Sequence, residues 1–298
     1  MASSKSILAI VVLYKMSFQA SPSYSALNAA LRDRPELAGK IDLLVVDNSP
    51  EAQPLPADFL GQYLHDRTNP GLARRYNYAL AAAAASRAAW LLLLDQDTTL
   101  TAAYIEEIET LSERLAGEEK IVAIVPKLLS GGALQSPHLP RYRRPSHTVD
   151  LSSYGVTGGL VRVYNSGALL RVSAVQAIGG FPEAYWLDYL DHATFHQLQA
   201  RGGEIYVMHA RLDHDMSILR PDKHKDLGNA VRHKNQLAAE VRFYRDFGSL
   251  QERLRDRAAL ARQAFHSIRR GLFAEAARWL SAAFAMGAEP EERRGEEL

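Results

Sequence analysis

Cysteine is absent from all 298 residues, which excludes disulfides, thiolate zinc sites and cysteine nucleophiles. Long apolar runs are missing as well: nothing approaches the ~20 residues that a membrane-crossing helix needs. Charge of one sign is not in excess. The formal net charge is +1, so no bulk field favours nucleic acid as a partner. No internal repeat is present. The first residues, Met1-Ala-Ser-Ser-Lys5 before Ile7–Leu13, resemble a signal peptide only loosely, because Tyr14-Lys15 follows at once without a small-residue cleavage pattern. A first β-strand is the better reading, and it points to a cytoplasmic protein. What is there, 47% hydrophobic and 23% charged residues, suits a globular chain with a sizeable core.

The first 130 residues alternate strand and helix. Ile7–Leu13, Ile41–Val46, Trp90–Leu94 and Ile121–Val125 are short apolar runs expected as buried strands. Ser23–Leu31, the Ala-rich Leu72–Ala89 and Ala102–Leu115 have helical character. This alternation predicts an α/β fold with a mainly parallel sheet and right-handed crossovers. Ser130–Arg162 is rich in Gly, Pro and Arg and reads as loop-rich, serving as a lid, an antiparallel excursion or a surface insertion. Val161–Tyr164 and Ala168–Arg171 read as short strands around Asn165-Ser166-Gly167. A helix over Ser173–Ile178 is expected to break at Gly179-Gly180. After Val231 the chain reads as mostly helical, and Leu250, Leu254, Phe265, Ile268, Leu272 and Trp279 recur at helical spacing among arginines. That face would pack on the domain, form a homodimer, or rest peripherally on an anionic membrane. The charged end, Glu289–Leu298, reads as disordered. The expected domains are 1–248, divided into nucleotide-binding (1–128) and acceptor-binding (129–248) halves, and a helical extension over 249–298.

Asp95 and Asp97 stand at the exit of the greasiest strand, where α/β sheets bind ligands. Spaced i, i+2, they could clamp a hard divalent cation and through it a diphosphate. Alternatively, Asp97 or Thr98 caps the next helix. Asp47 follows the second strand and could bind a base or ribose, or only close an Asx turn with Ser49. Asn69-Pro-Gly-Leu72, with Arg74 and Arg75 in the first helical turn, suits a phosphate, though Asn69 could simply cap that helix. Asp188 and Asp191 would lie near a helix start, where a carboxylate can cap and also act as general base. His214 is a candidate metal ligand or diphosphate contact, or a plain loop histidine.

Taken in order, these segments resemble the family-2 inverting glycosyltransferases of the GT-A fold, especially the rhamnosyltransferase branch. The matching pieces are Val11-Val-Leu-Tyr14, Val45-Val-Asp-Asn-Ser49, Asn69-Pro-Gly-Leu-Ala73 with Asn77, and Leu92-Leu-Leu-Asp-Gln-Asp97. Asn165-Ser-Gly167, Ile178-Gly-Gly-Phe181, Trp186-Leu-Asp-Tyr-Leu-Asp191 and Arg232-His-Lys-Asn235 complete the series. The resemblance spans about Ile7 to Phe247. It implies a nucleotide site at Val12, Tyr14, Asp47, Asn69, Arg74 and Asp95, and Mg²⁺ or Mn²⁺ held by Asp95, Asp97 and His214. It further implies Asp191 as the base, with Asp188 as the acid before it. The donor it favours is dTDP-L-rhamnose, with UDP-hexoses as the alternative, and the acceptor would be a cell-surface glycan or lipid-linked sugar at the inner membrane face. Leu190, Ala193, the His196–Gln199 segment and Lys234 depart from the family's usual residues. A nucleotidyltransferase would carry a Gly-rich, lysine-containing loop after the first strand, and Tyr14-Lys15-Met-Ser-Phe18 has no glycine. A sugar-binding scaffold of the same fold is the remaining reading.

Overall fold

The computed structural model describes residues 5–140, 149–213 and 227–286. The chain divides into two compact units, Met1–Ser217 and Ile218–Leu298.

The first unit is built on a single sheet. Its strands are β1 (Ile7–Leu13), β2 (Ile41–Asp47), β3 (Gln62–His65), β4 (Trp90–Asp95), β5 (Ile121–Ser130), β6 (Ala133–Ser136), β7 (Gly155–Val156), β8 (Ala168–Arg171) and β9 (Glu204–Asp213). Their order is β3-β2-β1-β4-β8-β5-β9-β7, with β6 added on β5. β3, β2, β1 and β4 run parallel, as do β5 and β9. β8 lies antiparallel between β4 and β5, and β6 and β7 are also antiparallel. The sheet is therefore mixed and mostly parallel.

Helices cover both faces. They are α1 (Pro22–Asp33), α2 (Pro35–Ala38), α3 (Leu72–Ala85), α4 (Ala102–Arg114), α5 (Val172–Ala177) and α6 (Leu190–Ala200). Alternate residues of β1 divide between the two layers. Ile7, Ala9, Val11 and Leu13 join Tyr24, Leu27 and Leu31 of α1 and Ile105, Ile108 and Leu111 of α4 in one buried cluster. On the other side α3 packs on β1 and β4, and its fully buried Ala79 and Ala83 allow close approach. β4 is buried on both faces through Leu94, which is why its sequence is continuously apolar.

Of the readings of Ser130–Arg162, the antiparallel excursion is the one present: the stretch contains the end of β5 and the antiparallel strands β6 and β7. Other expectations change. Val161–Tyr164 is no strand, and only a single bridge joins Arg162 to His138. The Ala-rich helix stops at Ala85, four residues early. Asp47 closes β2, and β3 and β9 add strands that apolar runs alone did not announce.

The second unit consists of α7 (Leu227–Phe247), α8 (Leu250–Arg269) and α9 (Phe273–Ala285). Ser249 opens α8 with a reciprocal capping box to Glu252.

Candidate functional site

β1 is the point where the strand order reverses, since the chain passes to β2 and β3 on one side and to β4 on the other. A crevice at the carboxyl ends of such strands is the usual ligand site. The three ends finish level: Leu13 pairs with Asp47, and Val12 with Asp95. Short hydrogen bonds fix the loops that leave them. The Tyr14 amide donates to Gln96 Oε1 (2.8 Å), the Lys15 amide to Ser49 Oγ (2.8 Å) and the Asn48 amide to the Leu13 carbonyl (2.8 Å).

The turn carrying Asp95 and Asp97 is held from below by the start of α1. Ser21 Oγ donates to the Gln96 carbonyl (2.7 Å), and Ser23 Oγ bridges the carbonyls of Asp95 and Thr98. The cap of α4 is Thr101, whose side chain accepts from the Tyr104 amide. Neither Asp97 nor Thr98 caps that helix. Asp97 is exposed and has no hydrogen-bond partner among the described residues. Asp95 is half-buried and accepts from Ser166 Oγ, in the Asn-Ser-Gly turn that leads into β8. Beside Ser166 the Oδ1 of Asn165 is buried without a hydrogen bond.

At the end of β2, Asp47 is fully buried and its oxygens are engaged. Oδ1 accepts from the Ser49 amide (2.9 Å), and Oδ2 from Gln53 Nε2 (2.9 Å) and Tyr63 OH (3.0 Å). Burial works to raise its pKa, but these hydrogen bonds outweigh it and hold the carboxyl below its ordinary range. Its evident work is to shape the 48–53 loop. The buried Arg75 reaches the same loop, with Nε donating to Asn48 Oδ1 (2.7 Å) and a terminal nitrogen to Asp66 Oδ2 (2.6 Å). Arg74 instead lies on the surface and pairs with Glu183 (3.0 Å). Asn69 is half-buried at φ 43°, and the N-cap of α3 is Gly71. Gly71 has φ +98°, and a Cβ there would stand 2.3 Å from the Trp186 indole. The Leu72 amide also donates to the Trp186 carbonyl (2.8 Å), which docks the 182–189 loop on the start of α3. Asn77 grips the preceding loop, accepting from the Phe181 amide (2.7 Å) and donating to its carbonyl (2.9 Å).

That loop delivers Asp188, half-buried, and Asp191 in the first turn of α6. The N-cap is Tyr189 in the left-handed region with no side-chain cap, and Asp191 Oδ1 accepts from the first-turn His192 amide (2.7 Å). Asp191 retains 21% of its side-chain exposure. Desolvation raises its pKa to about 7, against the opposing pull of the His192 amide and the Arg162 charge. His192 is pushed down to about 3 by burial and then by Arg162, so its ring is neutral. Its neighbours are aromatic: His138, Tyr164 and Tyr189 have ring centroids 6.1, 5.5 and 5.1 Å away.

Tyr76 of α3 links the two groups of acids. It is fully buried, its hydroxyl has no hydrogen bond, and its ionisation is opposed first by burial and then by the charges of Asp95 and Asp191. The structure thus sets Asp95 and Asp97 beside the ends of β1 and β2, and places Asp95 and Asp191 within electrostatic reach of the same Tyr76 hydroxyl. Val12 is half-buried and Tyr14 is 42% exposed at its β1 edge. His214 lies outside the described residues. Reading the sequence did not single out Ser166, Tyr76, Arg162 or His192. Ser166 sat in a recognisable turn, whereas nothing local marks an arginine that acts on residues about thirty positions away.

No group of three or more His, Asp or Glu among the described residues could enclose a metal. One exposed carboxylate without a protein partner and a second beside it nevertheless fit Mg²⁺ or Mn²⁺, ions that are commonly held by one or two carboxylates plus substrate phosphates.

No protein-family model and no curated protein matches the chain. Among solved structures, residues 1–349 of Staphylococcus aureus TarS align at 14% identity over 95% of this chain and 92% of that one, with TM-score 0.49. A longer S. aureus TarS structure aligns at 14% identity over 94% of this chain and 55% of that one, with TM-score 0.51. The longer match, together with the mixed open sheet flanked by helices, shows that the chain has the GT-A glycosyltransferase fold.

Proposed function

We propose that this chain is a metal-dependent, inverting glycosyltransferase that uses a nucleoside-diphosphate sugar. The observation that carries the reading is Asp191, a carboxylate with a pKa near 7 that acts, together with Asp95, on the buried Tyr76 hydroxyl. A general base works best when its pKa lies near the operating pH.

In this reading the diphosphate of the donor lies at the ends of β1, β2 and β4, beside Val12, Tyr14 and Asn69. Asp97 and Asp95 would hold Mg²⁺ or Mn²⁺, which would supply positive charge to offset the negative charge developing on the departing diphosphate. Ser166 orients Asp95. Asp191 takes the proton from an acceptor hydroxyl, whose oxygen bonds to the anomeric carbon as the bond from that carbon to the diphosphate oxygen breaks. The electron pair leaves with the diphosphate, and attack opposite the leaving group inverts the centre. Asp188, in the loop just before α6, would face the acceptor side. Arg162 tempers the desolvation of Asp191 and keeps part of it ionised at neutral pH.

The Asp47-Asn48-Ser49 and Trp186–Asp191 segments favour dTDP-L-rhamnose over a UDP-hexose, with a glycan or lipid-linked sugar as acceptor. Calorimetry with dTDP, UDP and GDP, each with Mn²⁺ and with EDTA, tests the donor side. The expected result is metal-dependent binding of one nucleotide, abolished in Asp97→Ala. Binding of none of the three, or binding indifferent to EDTA, overturns the reading.

A further inference from the structure

α8 has its amphipathicity inverted. The residues it turns inward are Glu252, Asp256, Leu260, Ala264 and Ser267, two of them acids. Those it turns outward include Leu250, Leu254, Phe265 and Ile268, which are 65%, 52%, 58% and 44% exposed. At about 100° per residue these four fall within an arc of about 60°, a continuous apolar stripe. α9 repeats the pattern: Phe273, Leu280 and Phe284 stand at i, i+7 and i+11 on one face and are 69%, 50% and 82% exposed. Ordinary surface helices bury such stripes, and contiguous exposed apolar patches mark contact sites.

The charge around the stripes identifies what covers them. Arg255, Arg262 and Arg269 run along one flank of the α8 stripe, and Arg257 along the other, by the same helical arithmetic. The only acids between residues 249 and 286 are Glu252, Asp256 and Glu275. Glu252 is spent on the Ser249 capping box, Asp256 is buried, and Glu275 accepts from the Trp279 indole at 3.4 Å. The outward charge of this segment is therefore arginine. A second copy of the same surface would set arginine against arginine. An apolar strip edged by arginine suits an anionic bilayer, where the hydrocarbon takes the Phe and Leu side chains while phosphates meet the guanidinium groups.

We propose that α8 and α9 form a docking surface for an anionic phospholipid bilayer, lying in the plane of the headgroups rather than crossing them. No described helix is long and apolar enough to cross a membrane. The proposal does not depend on the transfer chemistry assigned to the first unit.

Co-sedimentation of the full-length protein with phosphatidylcholine vesicles, with and without about 30% phosphatidylglycerol, tests it. The expected result is at least about tenfold stronger partitioning onto the anionic vesicles, lost at high salt. Phe265→Ser and Phe284→Ser alter exposed side chains, so each should weaken partitioning by about tenfold without lowering the melting temperature. Arg262→Glu and Arg269→Glu should each weaken binding to anionic vesicles by about fivefold or more. Equal partitioning to both vesicle types, or none by the wild-type protein, overturns the proposal. So does a wild-type dimer in sedimentation equilibrium that Phe284→Ser dissociates, which would give the stripes to a second copy. Vesicle binding gained only on deletion of residues 287–298 would instead give them to the chain's own acidic end.

Discussion

Asp191 shows how a single burial decision sets both activity and stability. With a folded-state pKa of about 7 against roughly 3.9 for an exposed aspartate, it is protonated in both folded and unfolded states well below pH 4 and ionised in both well above pH 7. Between those values the unfolded state releases its proton first, so stability falls as pH rises through the window. At about 1.4 kcal/mol per pKa unit, the ionised carboxylate costs the fold a few kcal/mol at pH 8. Asp191→Asn keeps the acceptor for the His192 amide but carries no charge. It should melt higher than the wild type at pH 8, melt equally at pH 4, and lose transfer activity by a factor of about 10² or more. Equal melting at both pH values would mean that Asp191 is solvated, with an ordinary pKa. The sequence revealed this position, through its place before a helix, but not its pKa. The desolvation and the Arg162 charge come from residues brought together only by the fold. Asp47 is the reverse case: its Asx turn with Ser49 was legible locally, whereas the bonds from Gln53 and Tyr63 that complete its burial were not.

Strands whose fate is decided by burial on both faces were legible, and those decided by pairing were not. β1, β2, β4 and β5 announce themselves as apolar runs. β3, Gln62-Tyr-Leu-His65, pairs only with β2 and is half exposed, so nothing in its composition demands a strand. β8 was expected as a strand, but its antiparallel direction follows from where the chain re-enters the sheet. The last residue of β8 gives this element its firmest anchor. Arg171 is buried over the Trp90 ring (4.3 Å) and donates to the carbonyls of Leu115, Ala116, Glu118 and Ile121 at 2.8–3.0 Å. Two of these carbonyls, those of Leu115 and Ala116, lie just past the end of α4. Arg171→Leu fills similar space but removes these bonds; the Leu115 and Glu118 carbonyls still accept from the Glu118 and Ile121 amides, so the cost is about 1–3 kcal/mol for each carbonyl left without a donor, offset in part by relaxation and water entry. A net loss of about 3 kcal/mol in urea denaturation is expected. A loss below about 1 kcal/mol would show that water reaches these carbonyls without the guanidinium.

Across the whole first unit, the sheet joins two chemically distinct parts of the crevice. The acids proposed for the donor stand on β4, while Asp191 stands on α6, almost a hundred residues later. β8 is inserted beside β4, so Ser166 at its entry reaches Asp95, and the segment that follows, through α5 and the loop docked on Gly71, brings Asp191 within electrostatic reach of the Tyr76 hydroxyl on which Asp95 also acts. If the two parts have the separate roles proposed, substitutions in them should act on different quantities. A nucleoside diphosphate with Mn²⁺, at about a hundred times its Kd, should stabilise the protein by about 2.7 kcal/mol, read as a rise of several degrees in melting temperature. Asp191→Asn should keep that rise while losing turnover. Asp97→Ala should lose the rise, and the double variant should show both losses, with effects adding as free energies because the sites do not touch. Loss of the nucleotide-induced rise in Asp191→Asn would place Asp191 on the donor side of the crevice and remove it as the base.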